Sequence, residues 1–101
     1  MKYFHRYLLS PLHHCTIRGN KYACEVLLNS ANIVLEPRDA QNSTPLHYCA
    51  IYSQEHLASF LLEKKVATPY AWNDDGRTPL HEACLSSSHS IVELLLAGNS
   101  I

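Results

Sequence analysis

His13-His14-Cys15, His47-Tyr48-Cys49 and His81-Glu82-Ala83-Cys84 set imidazole and thiol groups side by side three times in one short chain. These are zinc-ligand types, and four of them around one ion would make a metal site. Their spacing speaks against that chemistry. Zinc needs every ligand about 2.0–2.3 Å from a single ion. Equivalent residues of the three clusters recur at a fixed interval of 34 positions, and stacked helical units hold such positions about 8–10 Å apart. Within one cluster, His13 and Cys15 are two apart on a helix and face different ways. No C-x-x-C occurs. We therefore expect neither a metal nor another cofactor, and read the histidines as structural.

Other chemistry has no better footing. The sequence holds no G-x-S-x-G elbow, no Walker loop and no H-E-x-x-H. Glu25, Glu36, Glu55, Glu63, Glu82 and Glu93 are scattered, with no pair placed for acid–base work. Ser86-Ser87-Ser88 reads as a turn between helices, with phosphorylation as the alternative use. No catalytic constellation emerges, and the chain is not expected to be an enzyme. Eight Lys and Arg against nine Asp and Glu give a net charge of −1 with no basic stripe, so phosphate neutralisation on a nucleic acid has little support. No apolar run approaches a membrane span. His5 and Arg6 interrupt the N-terminal apolar stretch, which argues against a signal peptide. That leaves a reducing location, cytoplasmic or nuclear. Cys15, Cys24, Cys49 and Cys84 are then expected as free thiols buried at small-residue positions.

The elements that carry these residues follow from the interval itself. Ser10-Pro11-Leu12-His13 returns as Thr44-Pro45-Leu46-His47 and as Thr78-Pro79-Leu80-His81. Leu27-Leu28, Leu61-Leu62 and Leu95-Leu96 keep the same register. Ser10, Thr44 and Thr78 can cap a helix through their hydroxyls, and the proline after each suits the first helical position. First helices are expected near 11–18, 45–52 and 79–86, and second helices near 21–29, 54–64 and 89–97. The second helices show i, i+3, i+4 apolar stripes at Ala23, Val26 and Leu27; Leu57, Phe60 and Leu61; and Ile91, Leu94 and Leu95. Turn residues crowd 30–43 and 65–77, with Asp75-Gly76 the strongest signal.

A period of this length marks a stacked array, in which each unit buries its face on its neighbours. The residues resemble the ankyrin repeat, most fully in Asp75-Gly76-Arg77-Thr78-Pro79-Leu80-His81-Glu82-Ala83, and the resemblance covers residues 10–98. It implies an all-α ankyrin-repeat solenoid of helix-turn-helix units with β-hairpin finger loops, in repeats at about 10–43, 44–77 and 78–101. Residues 1–9 form an apolar extension outside that pattern. One residue beyond the usual period implies slightly enlarged fingers. Gly19 holds the first inter-helix turn where Ser53 and Ser87 stand later, and Asn32 and Val66 replace the glycine that commonly ends a second helix. The histidine of each T-P-L-H is expected to tie finger to helix.

The resemblance further implies a protein–protein interaction module, binding through the finger tips and the concave face of the first helices. Concave positions are then His14, Ile17 and Arg18; Tyr48, Ile51 and Tyr52; and Glu82, Leu85 and Ser86. Finger positions are Arg38, Asp39, Ala40 and Gln41, then Tyr70, Trp72, Asn73, Asp74 and Arg77. From these we select Arg38, Tyr48, Ile51, Tyr52, Tyr70, Trp72 and Arg77 as partner-binding, because Trp, Tyr and Arg dominate interface energy. Trp72 has an equal alternative, packing on Pro69 and Tyr70 of its own finger. The partner would be a protein or peptide, with an acidic or amphipathic peptide suiting the aromatic centre and cationic rim. Apolar ends such as Tyr3, Phe4 and Tyr7 raise end-to-end self-association. The rival reading is a regulatory or targeting segment of a larger enzyme or signalling protein.

Overall fold

A computed structural model describes residues 9–30 and 36–99, with backbone alone for 98 and 99. Six helices follow in order: α1 (Pro11–Arg18), α2 (Lys21–Leu28), α3 (Pro45–Ile51), α4 (Glu55–Glu63), α5 (Pro79–Leu85) and α6 (His89–Asn99). The helices expected from the sequence are all present, with ends shifted by at most two residues. The apolar extension, apart from Leu9, lies outside the described residues, as does Asn32.

The start of each first helix is over-determined. The hydroxyls of Ser10, Thr44 and Thr78 accept from the amides of His13, His47 and His81, and each histidine ring accepts from the amide of its own cap residue. This reciprocal capping box satisfies two orphan donors at once. Antiparallel pairing inside a unit needs a reversal within three residues. Gly19, Ser53 and Ser87 make it with φ of 72°, 56° and 56°, so the two serines tolerate the left-handed strain that glycine avoids. Gly19 has a second reason. A Cβ there would come within 2.7 Å of Gln54 Oε1, and Gln54 is needed in place because its amide donates to Ile17 O at 3.2 Å.

Stacking makes two layers. α1, α3 and α5 form one, α2, α4 and α6 the other, and each first helix also packs on the second helix of its own unit. The core between the layers holds Leu12, Leu46, Cys24, Cys49, Leu57, Leu61, Ile91 and Leu95, all at 2% exposure or less. On α2 the buried stripe is Cys24, Leu27 and Leu28, rotated by one residue from the expected Ala23, Val26 and Leu27. Val26 is 53% exposed while its counterpart Phe60 is 8% exposed. Phe60 sits under the ammonium groups of Lys21 and Lys64 at 5.5 and 5.7 Å. The left-handed residue after α4 is Lys65, one place before Val66.

Fingers appear as tight turns, and no strand is present among the described residues. Asp39 N–H donates to Ser43 O at 3.0 Å and Asn73 N–H to Arg77 O at 2.9 Å. Successive fingers are joined by Asp74 N–H to Gln41 O at 2.9 Å.

Candidate functional site

The clustered histidines divide by position. His13 and His47 are fully buried. Their Nδ1 atoms accept from the amides of Ser10 and Thr44 at 3.1 and 3.0 Å, which places the ring proton on Nε2. Nε2 then donates across the joint between units, from His13 to Ser43 O and from His47 to Arg77 O, both at 2.9 Å. Burial lowers both pKa values, opposed by these carbonyl bonds, and the rings stay neutral. Every polar atom of these rings is committed to the fold. Among the described residues no three His, Cys, Asp or Glu side chains converge as metal ligands would.

The thiols do not all follow expectation. Cys24 and Cys49 are buried, and burial pushes the Cys24 thiol up to about 12 and raises that of Cys49 as well. Cys15 is half-buried. Cys84, expected in the core, is exposed. The small residue that α5 turns inward is Ala83, and Cys84 lies one step round the helix beside Leu80, His81 and Leu85. The serine run is a joint element: the Oγ of Ser86 and Ser88 donate to Ala50 O at 2.7 and 3.2 Å.

Of the residues selected for partner contact, Tyr48 and Ile51 lie on α3 and Tyr52 caps its C-terminal end. Tyr48 and Tyr52 stack with ring centroids 6.4 Å apart, and Tyr48 also meets His13 edge-on at 5.4 Å. Tyr52 is 50% exposed, while Ile51 and Tyr48 are half-buried. The Tyr48 hydroxyl donates to the Asp39 carboxylate, and burial together with that bond raises its pKa. Tyr48 is thus a structural tie that leaves only part of its ring for a partner.

Asp39 is the residue that motif reading undervalued. It is almost fully buried, and its Oδ1 accepts from the amides of Gln41 and Ser43 at 3.0 and 2.8 Å. Asn73 repeats this in the next finger, taking the amides of Asp75 and Arg77, both at 3.0 Å. Its Nδ2 donates to Glu82 Oε2 at 3.2 Å and Ser43 Oγ at 3.3 Å. Glu82, placed on the concave face by analogy, is buried by this contact. The 34-residue offset between Asp39 and Asn73 was the available signal.

Arg38 is exposed and spans two fingers, with Nη1 donating to Asn42 O at 3.1 Å and Trp72 O at 3.3 Å. Arg77 lies 3.9 Å from Glu82. Trp72, 57% exposed, sets its ring against that of His81 on the following helix, with centroids 5.5 Å apart. Tyr70 is placed elsewhere, on a groove between α4 and α6 with Leu62, Ala67 and Leu94. Arg38, Tyr48, Ile51 and Tyr52 therefore form the nearest thing to one surface, and Tyr70 stands apart from it.

A family model described as ankyrin repeats (3 copies) matches residues 5–71 and again 35–101. No curated protein matches the chain. The two overlapping matches together span nearly the whole sequence. The chain belongs to the ankyrin-repeat family.

Proposed function

We propose that this chain is a non-catalytic module that holds an acidic or amphipathic peptide segment of a partner along the face of α3 and the adjoining fingers. Ankyrin repeats are in general protein–protein interaction modules. The observation that carries the reading is the aromatic ladder His13–Tyr48–Tyr52, anchored at its inner end and half-exposed at Tyr52. A rigid aromatic surface loses little side-chain entropy on binding, which makes it an efficient anchor. Arg38 supplies the cationic edge. Its guanidinium is held by two carbonyl oxygens, with donors left over for a carboxylate.

Tyr52→Ala and Arg38→Glu test this without touching the Tyr48 tie. Peptides selected on the wild type from a displayed library should be acidic or amphipathic. They should lose at least about tenfold in affinity for each variant, the scale of a residue worth about 1.4 kcal/mol, while the melting curve stays in place. Unchanged affinity in both variants would move the binding surface off α3.

A further inference from the structure

Inside each helix pair, one residue of the reversal ties the end of the first helix to the start of the second. In the first pair Asn20 N–H donates to Cys15 O at 2.9 Å, and Cys24 N–H donates to Asn20 O at 3.1 Å. Gln54 joins Cys49 to Ala58 in the same way, at 2.8 and 3.0 Å, and Ser88 joins Ala83 to Val92, both at 2.9 Å. The residues so brought across from one another are Cys and Cys in the first pair, Cys and Ala in the second, Ala and Val in the third. In the first pair the two thiols are hydrogen-bonded to each other. Cys24 is at 0% exposure inside the core, and Cys15 packs against the same core but is half-buried. Cys49, also near Cys24, is itself fully buried. The first pair thus holds one thiol within reach of a solute and a second thiol in contact with it.

We propose that Cys15 and Cys24 are a reversible oxidation site, which hydrogen peroxide closes into a disulfide stapling α1 to α2. The Cys15 sulfur attacks one peroxide oxygen, the O–O bond breaks, and Cys15 sulfenic acid forms as one water leaves. The Cys24 sulfur then attacks the Cys15 sulfur, the S–O bond breaks, and the hydroxide leaves as a second water with the Cys24 proton. Two thiols have lost two electrons and two protons, and one peroxide has taken them up. Burial keeps Cys24 protonated and so prevents it from reacting first. Its contact with the sulfenic acid offsets the small thiolate fraction, because the second step is intramolecular. An S–S bond of about 2.05 Å asks for a short further approach of two sulfurs already in hydrogen-bond contact. None of these groups belongs to the peptide surface on α3, so the site stands or falls apart from that reading.

The test treats the reduced, folded chain with hydrogen peroxide, then unfolds it in the presence of an alkylating agent. Intact mass should show the loss of two hydrogens and alkylation of two of the four cysteines, and dithiothreitol should restore all four. Arg18 and Lys21 lie between the two cysteines, so trypsin should release one peptide holding Cys15 joined to another holding Cys24. Cys24→Ala sets there the residue type that Ala58 supplies in the second pair, and Cys15→Ala the type that Ala83 supplies in the third, so both variants should fold. Each should abolish the bridge, while Cys49→Ala should leave it intact. The oxidised chain should keep its helical circular dichroism and melt higher than the reduced one. Sulfinic acid at Cys15 with Cys24 still free would overturn the proposal, as would a bridge mapped to Cys24 and Cys49. A loss of helicity on oxidation would also overturn it, since the pair would then close only by unfolding.

Discussion

Finger one and finger two solve the same backbone problem with side chains of opposite hydrogen-bonding character. Asp39 and Asn73 both use Oδ1 to take two amides of their own turn. Their second atom differs. Asp39 Oδ2 is an acceptor and meets a donor, the Tyr48 hydroxyl; Asn73 Nδ2 is a donor and meets an acceptor, Glu82. Tyr48 and Glu82 occupy equivalent places on α3 and α5. The finger residue therefore dictates what its helix must carry nine positions later, and two apparently variable concave residues are matched partners.

The sharpest way to break this symmetry is to put an acceptor where a donor is required. Asn73→Asp keeps the turn but sets a carboxylate against Glu82 inside a buried contact, and an uncompensated buried charge costs about 3–5 kcal/mol. Adding Glu82→Gln should restore most of that loss in a denaturant titration, since an amide can donate to the new carboxylate. Asp39→Asn should be far milder, because the Tyr48 hydroxyl can turn from donor to acceptor. Equal losses for Asn73→Asp and Asp39→Asn would show that the second atom does not matter.

Next in size is Tyr48→Phe, which removes the donor and leaves the Asp39 carboxylate short of one bond. A hydrogen bond to a charged group contributes about 1.5–3 kcal/mol, so the melting temperature should fall visibly. Tyr52→Phe, on the exposed ring beside it, should change stability little. If the two variants melt alike, Tyr48 is a contact residue and not a tie.

The frame of the molecule was legible because it rests on local chemistry. A hydroxyl, a proline and a histidine within four residues specify a capped helix, and their recurrence specifies the stack. What was hidden depends on distances along the stack. Cys84 and Val26 read as core from their neighbours in sequence, yet both are exposed, Cys84 beside Leu80 and Leu85 and Val26 on a groove with Phe60 and Val66. Tyr48 reads as a surface aromatic because its partner, Asp39, belongs to the preceding finger. Trp72 meets His81, nine residues on and on the next helix, a contact its own finger gives no hint of. Periodicity shows which positions are equivalent; it does not show which of them have a repeat on both sides.

Acidification probes what the two joints share. His13 and His47 are both held neutral, with pKa values lowered mainly by burial. In the unfolded chain they titrate near the ordinary value of about 6.5. Above that value neither state binds the proton and the joints keep their full stability. As pH falls below it, the unfolded state takes up protons first, so stability drops progressively towards the lowered folded values. Melting temperature should therefore decline between about pH 7 and about pH 5, and His47→Gln should flatten the slope by removing one of the two groups. A melting temperature that rises on acidification would contradict the neutral, Nε2-protonated assignment.

The smallest effect expected is at Arg77. It looks like an electrostatic counterpart in finger two to the Tyr48–Asp39 tie, since its guanidinium lies near Glu82. Yet the separation is 3.9 Å and the arginine side chain is 45% exposed, so solvent and salt screen the attraction. Such pairs contribute about 0.2–1 kcal/mol. The carboxylate is already satisfied by Asn73 Nδ2, and the backbone of residue 77, not its side chain, receives His47. Arg77→Met should accordingly shift the denaturation midpoint only slightly, and less again in high salt. If it costs as much as Asn73→Asp, the charge pair and not the amide–carboxylate match anchors the second finger, and the complementarity drawn between the two fingers would have to be abandoned.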